Sequence, residues 1–549
     1  MSVSRSRFLL SIGILIILIN GFSKLQAEPR HPVRLIPGDT GLERARGKPT
    51  YQEALNPISQ KKEIDKTTYI HQGLDKINLP LKSKVLRDIL KRLVLEKIEP
   101  EEPVYLTGQK LSLLFELGYL SSFLKSIETL PEKERNESLM EKFFLAMCCS
   151  PSPNAEELAR VADARYKETP TPFWRKAFIY ANYLGKNKDK AELALNLWHD
   201  QGDKKESLFL ELMNHVVYDT PVKHIKSPGL VELAVMRSTK IPVSWNQLHP
   251  QGILSIMAIA WSESLPLALR TRAAEEAVDK GTISPEFLQK LYERTSFAPD
   301  LLTQTQKYAK LPTQNLSAVE KRALLFQAAK LSAGEKRAEL LKTLWKMTDG
   351  LSFESLAAVS YPLLNELIPD DELGWFAPDA VKALILFGTS PYIKTWIALA
   401  ERESPELWLD ISPLVFLSSL TDAEPIDTWF TRWYRLKETR DPIGAKNKAL
   451  LLANLLNALR TPLKRDTLRD LDITFMSEAH PGILETMHSR TLEGKSMEEV
   501  IVSACKKLSK IQEQKDWIRL SQVVGKLYQF GLRQDARRLA IEIALNNNM

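Results

Sequence analysis

An all-α fold of irregular helical hairpins, stacked as an α-solenoid, is what this 549-residue sequence predicts. Three observations carry the expectation. Beyond residue 67, apolar residues recur at three-four spacing, the pattern of helices with one buried face. Several of these runs end in a large apolar residue followed by glycine, after which the spacing resumes. Alternating strand patterns are thin: Ile411–Leu417 is apolar enough for a strand but is flanked by helix.

The chain opens on a short basic head with Arg5 and Arg7, then the apolar run Phe8–Ile19, broken only by Ser11 and Gly13. Asn20-Gly21 ends the run, and Ala27 supplies a small residue before Glu28. Residues 1–27 therefore read as a secretory signal peptide, which directs the protein to the periplasm. The alternative is an inner-membrane anchor at residues 8–22 facing the periplasm, but that stretch is shorter than the roughly 20 residues a span requires. No Cys follows the apolar run, and Ser6 separates the two arginines, so neither a lipidated N-terminus nor a twin-arginine signal is supported. Residues 28–66 form a flexible Pro/Arg-rich arm, punctuated by Pro29, Pro32, Pro37, Gly41, Gly47, Pro49 and Pro57. Its bases Arg30, Arg34, Arg44, Arg46 and Lys48 offer contact with an acidic partner or an anionic membrane face; a plain tether is the simpler reading.

Helical pattern then fills residues 67–549, with a subdivision near 220–250 where prolines interrupt it. Leu81, Val85, Leu86, Ile89, Leu90 and Leu93 mark the first helix. Leu111, Leu114, Phe115 and Leu117 mark another, Gly118 turns the chain, and Leu120, Phe123, Leu124 and Ile127 return until Pro131. The layout recurs around Gly185, where Phe173–Ala181 meets Ala191, Leu193, Ala194, Leu197 and Trp198. It recurs around Gly388, between Val381–Phe387 and Tyr392–Ala400, and around Gly531, between Val524–Phe530 and Ala536–Ile543. Each glycine tolerates the left-handed conformation in which helices stop. Small residues on the second helix allow close approach to the first, a device similar to that of tetratricopeptide units. The glycine spacing is irregular, so the hairpins are degenerate and TPR-like, with no fixed repeat.

The hairpin with Phe173-Trp174-Arg175-Lys176, Tyr180, Gly185, Ala191 and Leu195 resembles a group of large exported helical proteins from alphaproteobacteria. The closing Gly531-Leu532, Ala536-Arg537 and Leu539-Ala540 helix is similar to theirs as well. The resemblance covers roughly residues 70–549 and implies fold and compartment; it adds nothing about catalysis.

Charge argues against nucleic acid as a partner. Seventy-five basic and 68 acidic side chains leave +7, and a leader holding three bases and no acid reduces this to +4. Acids and bases alternate as on solvated helix faces, without a phosphate-binding stripe. Three cysteines, Cys148, Cys149 and Cys505, are too few for a disulfide framework; the adjacent pair reads as small apolar residues in a helix over Lys142–Cys149. Asn136-Glu-Ser138 and Asn315-Leu-Ser317 match the short glycosylation pattern.

Catalytic signatures are fragmentary. Ser122-x-x-Lys125 and Ser503-x-x-Lys506 match one element of penicillin-binding proteins, but no Lys-Thr-Gly accompanies them. Trp261-Ser-Glu263-Ser264 resembles the Glu-Ser step of lytic transglycosylases, yet Leu265-Pro266-Leu267 follows and no Gly-Leu-Met-Gln exists. Gly494-Lys495-Ser496 lacks the first P-loop glycine, its place being taken by Ser489. The eight histidines are scattered, and His215 and His224 lack a third ligand at useful spacing. Asp370-Asp371-Glu372 reads as a helix start. No cofactor and no metal are expected.

The expectation is a non-enzymatic periplasmic scaffold that binds a protein or peptide partner, with membrane contact only through an uncleaved leader or the basic arm. The alternatives are a peptidoglycan-remodelling enzyme or its regulatory subunit, and a periplasmic component of a motility machine. Trp396, Trp408, Trp429, Trp433 and Tyr434 are the candidate partner-binding residues, since exposed Trp and Tyr dominate interaction surfaces. The helical spacing of Trp429, Phe430 and Trp433 equally suits packing between hairpins.

Overall fold

Helix starts along this chain are set by local side chains. The side chains of Asn136, Asn154, Thr171, Ser317, Ser352 and Asp441 each accept from an amide of the turn they open. Ser317 and Glu320 complete a reciprocal capping box. Such caps are each worth about 1 kcal/mol.

The structure is a computed structural model. It describes residues 83–549 apart from 97–103, 201–206, 239–240, 242, 309–314, 388–389, 421–423, 474–496 and 509–514, together with Leu74, Ile77 and Leu81. The signal peptide and the arm expected at 1–27 and 28–66 lie outside the described residues, as do Gly388 and the Gly494-Lys495-Ser496 fragment.

The described residues form α-helices and short 3₁₀ turns, with no strand among them. In order, the helices are α1 (Lys84–Glu96), α2 (Val104–Glu116), α3 (Leu120–Thr129), α4 (Glu137–Cys149), α5 (Ala155–Glu168), α6 (Pro172–Leu184), α7 (Lys188–Asp200), α8 (Ser207–Tyr218) and α9 (Leu230–Arg237). Next come α10 (Trp245–Leu248), α11 (Gly252–Trp261), α12 (Leu267–Asp279), α13 (Pro285–Arg294), α14 (Pro299–Tyr308), α15 (Ala318–Lys330), α16 (Gly334–Trp345) and α17 (Phe353–Asn365). The last group is α18 (Ala377–Phe387), α19 (Ile393–Glu403), α20 (Pro405–Ser418), α21 (Ile426–Arg440), α22 (Pro442–Ala458), α23 (Arg465–Asp470), α24 (Met497–Leu508), α25 (Lys515–Gln529) and α26 (Arg533–Asn546). The apolar run Ile411–Leu417 is thus helical, within α20.

Sequence neighbours pack as antiparallel pairs, among them α2 with α3, α5 with α6, α11 with α12, α15 with α16, α18 with α19 and α25 with α26. This is the arrangement of a helical solenoid. Contacts to more distant helices join the pairs: α4 lies on α9 and α11, α12 and α13 on α17, and α20 on α26. Packing is continuous through residues 220–250, because α9 touches α4, α6 and α8 before it and α11 after it. All described residues belong to one unit, Ile58–Met549.

Two of the turn glycines behave as expected. Gly118 and Gly531 have φ of +82° and +83°. Gly185 does not: it stays at −74°, and the next residue, Lys186, takes the left-handed position at +66°. At Gly185 the demand is for space, since a Cβ there would stand 3.2 Å from the Ala181 carbonyl oxygen and 3.4 Å from the Ala159 side chain.

Helix ends left without intrahelical donors are satisfied across the hairpins, mostly by arginine. Arg237 donates to the carbonyls of Ser150 and Pro151 beyond α4. Arg337 donates to those of Ala329 and Ser332 at the end of α15, and Arg322 to Met347 and Asp349 after α16. Each cation lies where a helix C-terminus carries partial negative charge. Arg322 also forms a buried two-pronged pair with Glu275 of α12, at 2.7 and 2.6 Å, and Tyr292 donates to the same carboxylate at 2.7 Å. These polar groups fix the register between hairpins that apolar contacts alone leave free.

The most distant contact joins the two ends of the described chain. Helix α1 packs against α24 and α26 as well as α2. Its residues Val85, Leu86, Ile89, Leu90, Leu93 and Val94 are all buried. The glycine turns supply a test of local strain. Gly118→Ala combines the left-handed backbone with a Cβ 2.8 Å from Met257 Sδ, whereas at Gly531 nothing lies within 4 Å. Gly531→Ala should cost about 1–2 kcal/mol from conformation alone and Gly118→Ala measurably more, read from urea midpoints; equal losses would contradict the packing assigned to Gly118.

Candidate functional site

The five aromatic candidates are buried. Trp396, Trp408, Trp429, Trp433 and Tyr434 lie in the core, so in this conformation they form packing between hairpins and offer no surface to a partner. Trp396 of α19 packs edge-on against Phe376 at 6.0 Å, while the other four fill the seam where α20, α21 and α22 meet, with Phe416 stacked on Trp429 at 3.9 Å and Trp429 on Trp433 at 6.4 Å. Trp429 also has a polar task. Pro413 within α20 deprives the Leu409 carbonyl of its usual amide donor. Ser412 donates its hydroxyl to that carbonyl at 2.9 Å, and Trp429 Nε1 donates to Ser412 at 2.7 Å. Trp345 Nε1 likewise donates to Ser360 of α17 at 2.8 Å, and Ser360 donates to the Leu356 carbonyl at 2.7 Å. The Trp429 chain completes the accounting of a helix that contains proline.

The other residues that the sequence singles out are dispersed. Glu263 is largely exposed, 3.8 Å from Arg294. Cys148, Cys149 and Cys505 are free and buried; burial pushes the Cys149 and Cys505 thiols up to about 12 and holds the Cys148 thiol well above its ordinary value, which leaves them as inert core residues. Asp370 caps the 3₁₀ turn Asp371–Leu373 by accepting from the Leu373 amide. His215 binds the Thr220 carbonyl, and His224 lies 3.9 Å from Glu211. Among the described residues, no group of three or more His, Cys, Asp or Glu gathers to hold a metal ion, and no helix is long and apolar enough to cross a membrane.

What the structure does build is a surface cleft of about 310 Å³ between α5, α6 and α7. It arises from the composition of α7. Ala191, Leu195 and Trp198 form one apolar stripe, fully buried against α6. Leu193, Ala194 and Leu197 form a second, three and four residues apart, directed into the cleft. Leu193 is 63% exposed and Leu197 55%. Tyr166 of α5 and Phe178 of α6 pack together at 5.0 Å along the wall. Arg175 lies over the Trp198 ring at 5.2 Å, and Phe209 of α8 contacts Trp198 at 5.7 Å. The charged residues lining the cleft are Arg175 and Lys190, both cationic. Lys190 reaches Asp163 at 3.4 Å, while Asp163 also accepts from Asn182 at 2.7 Å. Chemically the cleft offers an apolar floor, aromatic walls and positive charge at its edge.

Comparison with known proteins finds no match among protein-family models, among curated proteins or among solved structures.

Sequence reasoning counted Leu193 and Leu197 into the packing face of the return helix; the structure exposes them. The signal was the width of the apolar arc. Six apolar residues among the eight of Ala191–Trp198 exceed what one buried stripe requires. Leu193→Ser with Leu197→Ser should therefore leave the urea midpoint unchanged to within about 0.5 kcal/mol. Leu195→Ser, on the buried stripe of the same helix, should cost about 3 kcal/mol or more. A large loss from the exposed pair would place it in the core.

Proposed function

We propose that this chain is a non-catalytic helical-repeat scaffold that holds a partner protein by a short helical segment laid in the cleft between α5, α6 and α7. The observation that supports it is the second apolar stripe of α7. Exposing two leucines one turn apart costs about 1.5–3 kcal/mol each relative to burial, so the stripe has a purpose only when something covers it. Leucines one turn apart match an amphipathic helix, whose own apolar residues repeat at the same spacing. A guest of about thirteen residues runs roughly 20 Å, the length of α7. Arg175 and Lys190 favour a guest with acidic residues beside its apolar face. The proposed site of action is the periplasm, reached through the leader at residues 1–27.

The test is site-specific photocrosslinking in the native envelope, with the photoreactive group placed at Leu197 and, as a control, at the equally exposed Leu331. The expected result is one dominant adduct from position 197, absent from position 331, with its crosslinked peptide mapping to an acidic amphipathic segment. The adduct should fall at least tenfold when Leu193→Ser is added. Equal labelling from both positions, or a dominant peptide without acidic residues, would count against the cleft as the binding site.

A further inference from the structure

Helix α1 begins against a carboxylate from the other end of the chain. The Val85 amide donates to Glu542 Oε2 at 3.1 Å, and the Ser83 hydroxyl donates to the same oxygen at 3.2 Å. Ser83 also accepts from the Leu86 amide at 3.1 Å, so both residues serve the first turn of α1. Glu542 is buried. One turn further along α1, Asp88 accepts from Arg538 of α26 at 3.0 Å, and Arg92 reaches Asp535 of α26 at 2.7 Å. Four polar contacts therefore join the start and body of α1 to α26 along one line, two of them ionic.

We propose that the junction of α1 with α26 is a proton-sensitive clasp, closed by acid and loosened as the medium becomes neutral to alkaline, with Glu542 as the group that takes up the proton. The two donors share Oε2, so Oε1 is left to carry it. Among the described residues, the surrounding charges do not balance an ionised Glu542. Lys84 is the nearest cation on α1, but its ammonium is engaged by Glu354 of α17 at 3.1 Å and by the hydroxyls of Ser355 and Ser352. Glu354 adds a negative charge to the same neighbourhood. On α1, Asp88 and Arg92 are committed to Arg538 and Asp535, and Arg87 lies along Gly281 beyond α12. Of the other elements packed here, α20 brings Asp410, already held by Lys437 and Arg440, and the exposed Glu406; α24 brings Glu499 and α25 brings Lys526.

Burial, and then Glu354, push the Glu542 carboxyl from its ordinary 4.5 up to about 7. The sign follows from linkage. Below about 4.5 the carboxyl is protonated whether the clasp is open or closed. Between about 4.5 and 7 the closed form keeps the proton that the open form releases, so closure is favoured by acid and lost as pH rises through this window. Above about 7 both forms are ionised, and the closed form bears the full cost of a buried carboxylate.

Hydrogen exchange followed by mass spectrometry on the full-length protein reads the clasp directly, from α1 peptides at pH 5.5 and pH 8.0 after correction for intrinsic rates. Protection of α1 should fall on the order of tenfold between the two, while the hairpin α15–α16 changes little. Glu542→Gln should raise α1 protection at pH 8.0 to its level at pH 5.5. Asp88→Asn, which weakens the clasp without touching Glu542, should lower protection at both pH values and keep their ratio. The proposal is overturned by an α1 ratio near one in the parent protein, by a ratio that survives Glu542→Gln, or by loss of α1 protection only together with α15–α16.

Discussion

Helix α1 is the element on which the rest of the fold depends, and its start is held by Glu542. A stack of helical pairs that contacts only its neighbours leaves two raw ends, each with an apolar face that needs a cap. Here the first described helix supplies that cap to the last pair: α1 buries its apolar face among α2, α24 and α26. The partnership is polar as well as apolar, because the positive end of the α1 dipole meets a carboxylate and two ion pairs continue the seam. Placing a carboxylate in such surroundings costs several kcal/mol before its hydrogen bonds are counted. The fold accepts this cost where residues about 450 positions apart must find each other.

Elsewhere register is set by arginine. Arg322 of α15 and Arg337 of α16 reach the carbonyls that end each other's helix, and Arg237 of α9 reaches those beyond α4. Their guanidinium groups satisfy acceptors that no helical amide can reach, and the low-dielectric surroundings make each misplacement expensive. The serine-tryptophan chain beside Pro413 answers the same need within a helix. Apolar periodicity thus decides which faces are buried, and a small set of buried polar contacts decides which partner each face meets.

Local features of this architecture were legible in the sequence. The helices flanking Gly118 and Gly531 and the left-handed turns between them follow from spacing and from glycine's freedom at positive φ. Three features were not. Lys186 occupies the left-handed position expected of Gly185, because crowding by Ala181 and Ala159 already reserves that glycine for close packing. The tryptophans of α21 allowed two readings from sequence, and only their depth in the seam distinguishes core from surface. The contact of α1 with α26 escapes any periodicity argument: Glu542 sits among Arg537, Arg538 and Asn546, a neighbourhood that reads as an ordinary solvated helix face. The cleft was legible only in hindsight, from an apolar arc on α7 too wide for one buried stripe.

The central claim is the closure of the chain through α1, and proximity of its two halves tests it most directly. In a variant carrying Asp88→Cys and Arg538→Cys, the three native thiols stay buried, so a short bis-maleimide reacts at the introduced pair. Closure predicts a link within one chain that forms rapidly in the native state and is lost in denaturant. A native protein that yields no link, or yields links only between separate chains, contradicts it.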